Sequence, residues 1–79
     1  MDTDMPSKLD KKLATRLLEI RTRKKISQAL LAEKMTKIGP TKVAQSEISD
    51  LECGKTPIGL KRLEKLAKAL DTPINTFFD

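Results

Sequence analysis

The chain has 79 residues, 16 Lys and Arg against 11 Asp and Glu, a net charge of +5, two Phe, one Cys and no His, Trp or Tyr. At this length folding hides only about 60% of the surface that the unfolded chain exposes, so one domain with a small core is expected and a deep substrate pocket is not. Without His there is no Ser-His-Asp triad, no Cys-His nucleophile and no imidazole metal site, and a single Cys makes neither an internal disulfide nor a thiolate cluster. The expectation is therefore a binding protein with no catalytic residues, no metal and no cofactor.

Residues 1–7, with Asp2 and Asp4 and nothing to bury, read as a disordered tail ahead of a domain over 8–79. They lack the basic-then-apolar order of a signal peptide, and no apolar run approaches the length of a membrane span, so a cytoplasmic protein away from membranes is expected. Charge is uneven: residues 1–25 carry +4, 26–52 carry −1 and 53–79 carry +2. Such an excess suits a polyanionic partner.

The first periodic segment, Leu9, Leu13, Leu17 and Ile20 with bases between, predicts an amphipathic helix of about four turns. Its Lys and Arg residues are read mainly as a solvated face. Ser27 can cap a second helix burying Leu31, Ala32 and Met35, with Ile26 packing back as a staple. Gly39-Pro40 breaks that helix. Thr41 is then a cap for a third helix from Lys42 to Glu52, with Ala44, Ile48 and Leu51 as its apolar stripe and Gly54 at its end. Leu60, Leu63, Leu66, Ala67 and Leu70 mark a fourth helix with a basic side of Lys61, Arg62, Lys65 and Lys68, and Thr72-Pro73 opens a short terminal turn with Ile74, Phe77 and Phe78. Five short helices and no alternating strand pattern describe a compact all-α domain.

At about 100° per residue, the side of the third helix opposite its apolar stripe presents Lys42, Ser46 and Ser49, flanked by Gln45 and Asp50. All are polar, and a helix with such a free face fits the major groove of DNA, about 12 Å wide. Small Ala32 lets this helix cross close to the second one. Leu30 lies off the stripe as a surface residue or a contact to the fourth helix, and Cys53 is read as packing or surface rather than a redox sensor, because no second thiol is present to resolve it.

Arg21, Ile26-Ser27-Gln28, Leu31-Ala32, Gln45-Ser46-Glu47-Ile48-Ser49, Leu51-Glu52 and Gly54-Lys55-Thr56-Pro57 follow one another in an order that resembles the Cro and phage-repressor type of helix-turn-helix domain. The stretch Leu63 to Leu70, then Pro73-Ile74 and Phe77-Phe78, is similar to that family's fourth and fifth helices, so the likeness spans about residues 9–79. It implies the lambda-repressor-like five-helix fold. It also implies residue roles: Gln28 on a phosphate, Gln45, Ser46 and Asp50 on base edges, Lys55 on the DNA backbone, and Arg21 with Glu52 as a structural ion pair between the first and third helices. Glutamine can bond bidentately to adenine and a carboxylate can accept from cytosine N4.

The chain departs from the pattern in three places. Ile48 lies twenty residues after Gln28, where the family reaches its Ile after fourteen, which puts six extra residues within 36–43. Ala44 stands at the family's capping Ser or Thr, and Asp71 at a common Gly. With Thr41 as cap, the base-contacting residues would shift toward Thr41 and Lys42.

The function this implies is sequence-specific binding of double-stranded DNA by a small transcriptional regulator, with repression by occlusion as the simplest mechanism. A weak homodimer on a near-palindromic operator is expected, meeting through the loop around Ile58 and the terminal turn near Phe77 and Phe78. The other reading is an interaction module, since antitoxins use the same fold to bind a protein toxin.

Overall fold

The computed structural model describes residues 8–78, so the tail at 1–7 lies outside the described residues. The elements in order are α1 (Lys8–Arg23), α2 (Gln28–Ile38), α3 (Gln45–Glu52), α4 (Leu60–Ala69) and a terminal 3-10 turn (Ile74–Phe78), with no strand among the described residues. The architecture is all-α, and its fifth element is a 3-10 turn rather than an α-helix.

Helix α2 packs on both α3 and α4, while α1 packs on α3 and on the terminal turn. Leu17, Leu31, Ile48, Leu51, Leu63, Leu66, Leu70 and Phe77 are fully buried, so every element contributes at least one large side chain to one core. Burying each is worth about 1.5–3 kcal/mol. Ala32 is buried in α2, and its small side chain lets α3 cross closely there.

Helix ends follow from local chemistry. The Ser27 hydroxyl accepts the Leu30 N–H at 3.0 Å and caps α2. Three helices end in the same hydrogen-bonded reversal, in which a residue of positive φ is followed by an N–H that returns to the last turn. At α1 it is Lys25 (φ 58°) with Ile26 N–H to Arg21 C=O, at α3 Gly54 (φ 76°) with Lys55 N–H to Asp50 C=O, and at α4 Asp71 (φ 52°) with Thr72 N–H to Ala67 C=O. Asp71 thus holds the left-handed position usual for glycine, and Ile26 packs against the core rather than pointing to solvent.

The extra residues take two forms. Helix α2 runs on to Ile38, almost a turn past Met35, and 39–44 form a loop. The Thr36 hydroxyl accepts the Val43 N–H at 2.9 Å and donates to the Ala32 C=O at 2.9 Å, so the two ends of the excursion are tied together. Thr41 consequently caps nothing: the residue before α3 is extended Ala44, which makes no side-chain cap bond, and Lys42 lies in the loop instead of on the helix.

Some expected core residues face solvent. Leu9 is half exposed because burial on α1 begins a turn later at Leu13, and Ala44 is exposed because it precedes α3 rather than riding on its inner face. Leu60, in the first turn of α4, is 68% exposed. Conversely, Ile58 and Phe77 are buried, which removes both from the expected dimer surface: each fills the protomer's own core, leaving only Phe78 of that patch exposed.

Candidate nucleic-acid interface

Helix α3 is anchored on its inner side by Ile48 and Leu51. Its opposite side carries Ser46, with Ser49 and Asp50 to either hand and Gln45 at the start. Gln45, Ser46 and Glu47 are exposed, while Ser49 and Asp50 are half-buried. Glu47 is a further exposed residue of the first turn of α3, one that the helical periodicity does not place opposite the apolar stripe. The helix contains three acids and no base, so any attraction to a polyanion must come from residues around it.

Glu52 closes the helix. Its carboxylate accepts from Arg21 Nε and, at 3.0 Å, from Arg21 Nη2, and it accepts from Gln28 Nε2 at 2.9 Å. Arg21 Nη1 donates to the Ile26 C=O at 2.8 Å. The Glu52 side chain is 4% exposed and that of Arg21 12%, so one shielded cluster joins α1, the α1–α2 turn, α2 and α3. Gln28 is oriented by this bond at the N-terminus of α2, where helix geometry also favours an anion. Its amide has a second N–H beyond the one given to Glu52.

Lys55 is exposed just after the Gly54 reversal, at the C-terminal end of α3. Lys42 is exposed at the other end, three residues before α3, and no longer shares a face with Ser46 and Ser49. Gln45, Ser46, Ser49 and Asp50 therefore form one surface on α3, with Gln28, Lys42 and Lys55 disposed around it. Exposed Cys53 lies at the end of α3. The arrangement is a helix with mixed donors and acceptors on its outer side, tied at its end to α1 and α2 through Glu52 and bordered by Lys42 and Lys55, which is what reading base edges from a major groove requires.

A helix-turn-helix family model, HTH_3, matches residues 17–77. The chain belongs to the Cro/C1-type helix-turn-helix family. It is a DNA-binding transcription regulator by that membership. Among solved structures, the fold is similar to the restriction-modification controller protein C.AhdI from Aeromonas hydrophila, with 32% identity, a TM-score of 0.75, and coverage of 87% of this chain and 96% of that one. No curated protein sequence matches. No helix among the described residues is long and apolar enough to cross a membrane.

Proposed function

We propose that this helix-turn-helix regulator binds a specific double-stranded operator as a weak dimer and represses by occluding the promoter. The observation that carries the reading is the polar outer face of α3, tied to α1 and α2 by the Arg21–Glu52–Gln28 cluster. Gln45, Ser46, Ser49 and Asp50 read base edges, and Gln28 and Lys55 fix the frame on phosphates. One domain makes few base contacts, and two copies on a two-fold axis supply the discrimination a genome demands. Exposed Phe78 in the terminal turn offers apolar area for that contact, in place of buried Ile58 and Phe77. The likeness to a controller protein supports a restriction-modification setting, in which the operator lies beside the genes of such a pair.

The test contrasts two substitutions on a site selected from random duplexes. Gln45→Ala costs about 1–3 kcal/mol on the selected site, relaxes discrimination at one base pair and leaves nonspecific binding unchanged. Lys55→Ala weakens all duplexes alike and lowers the salt slope by about one unit per protomer. Equal losses from Gln45→Ala on specific and random DNA would refute the reading role of α3.

A further inference from the structure

Between the inserted loop and the first half of α4 the surface folds into a cleft of about 700 Å³ whose charged lining is Lys42, Lys61, Arg62 and Lys65 against one carboxylate, Glu47. Among the described residues, none of these four cations has a carboxylate within ion-pair distance. Several are held in place. The Thr36 bond to Val43 fixes the end of the loop that carries Lys42, and Arg62 donates to the Pro57 C=O at 3.2 Å. The Lys65 side chain lies across Gly39 so closely that a Cβ there would sit 3.1 Å from its Nζ.

The cleft adjoins the reading helix, because Glu47 belongs to the first turn of α3 and Lys42 lies three residues before it. A duplex that admits α3 to its major groove carries a phosphate strand along each wall of that groove. Since every charged side chain of α3 is acidic, flanking cations must supply the attraction. We propose that this cleft, bounded on one side by the inserted loop, binds the sugar-phosphate backbone of duplex DNA just outside the base pairs read by α3, with Lys42 as a backbone anchor rather than a base reader. The inference rests on the DNA-binding reading above. Charge complementarity selects a polyanion, and continuity with α3 selects the same duplex over an acidic protein segment.

The experiment measures binding of the full chain to its selected site on two duplexes, one with long flanks and one trimmed to the read base pairs. Lys42→Gln combined with Lys65→Gln should bind the long duplex about tenfold more weakly near 0.1 M salt, with a salt slope lower by about two units per protomer. On the trimmed duplex it should match the parent, and exposed Lys12→Gln should match the parent on both. Methylphosphonate linkages in the flank should reproduce the loss with the parent protein and add nothing to the double variant. Thermal melting of the double variant should remain at the parent's value.

An unchanged salt slope on the long duplex overturns the assignment, as does an equal loss on both duplexes. An acidic peptide that binds the parent but not the double variant, with DNA binding intact in both, overturns it in favour of a protein partner. Failure of the underlying reading is a different result, in which the parent itself selects no sequence and shows no salt-dependent duplex binding. If Gln45→Ala behaves as expected while the double variant does not, the cleft assignment alone falls.

Discussion

Glu52 gathers three donors from two helices into a site that water scarcely reaches. Removing one partner of such a pair leaves the other charge shielded and unpaired, which costs about 3–5 kcal/mol, a large share of a small domain's stability. Arg21→Ala should therefore lower the melting temperature sharply, whereas exposed Lys68→Ala should not; equal melting of the two would show that the pair is not structural. The start of α3 behaves oppositely. Ala44 makes no side-chain cap, so Ala44→Ser should add about 1 kcal/mol by giving the first-turn amides an acceptor. In a domain of this size that raises the melting temperature by about 4–8 °C. No increase would mean that the inserted loop already fixes the helix start.

Among elements, the helix reversals separate residues that suit their backbone from residues that do not. Gly54 adopts its positive φ without strain, whereas Asp71 and Lys25 carry side chains in the same region. The left-handed conformation costs an L-residue about 1–2 kcal/mol, and glycine gives back about half of that through unfolded-chain entropy. Asp71→Gly should thus stabilise the fold by about 0.5–1 kcal/mol in urea denaturation with an unchanged slope; destabilisation would point to an unrecognised role for its carboxylate. Ser27→Ala should cost about 1 kcal/mol, because only its hydroxyl takes up the Leu30 N–H. The Thr36–Val43 tie explains how six extra residues fit beside the turn without displacing α3: the ends of the excursion are pinned, so its length stays on the surface.

For the whole molecule, the dimer surface is where composition misleads. Ile58 and the phenylalanines are the natural candidates for a shared apolar patch, yet a domain this small draws Ile58 and Phe77 into its own core and leaves Phe78 outside. Phe78→Lys should accordingly keep the monomer's melting temperature near the parent's but abolish cooperative binding to paired half-sites, as read by sedimentation and gel shift. The operator should be a near-palindrome with half-sites about 34–36 Å apart, so that both copies of α3 meet the same groove face. An asymmetric selected site occupied by one protomer would exclude that assembly.

What the sequence determined by itself is local and periodic. Leucine spacing laid out α1, α2 and α4, Ser27 placed the second helix start, and the run from Gln45 to Lys55 carried the family pattern, because caps, apolar stripes and short motifs are settled by neighbours three to five residues apart. The start of α3 was decided elsewhere. Thr41 has the right chemistry for a cap, but a hydroxyl seven residues before Val43 pins the end of the loop to α2, and no local signal announces that bond. The same holds for Lys42, which shares a helical face with Ser46 on paper and shares a cleft with Lys61, Arg62 and Lys65 in space. Convergence of charges from a loop and a distant helix depends on how α2, α3 and α4 pack, and packing is a property of the folded chain alone.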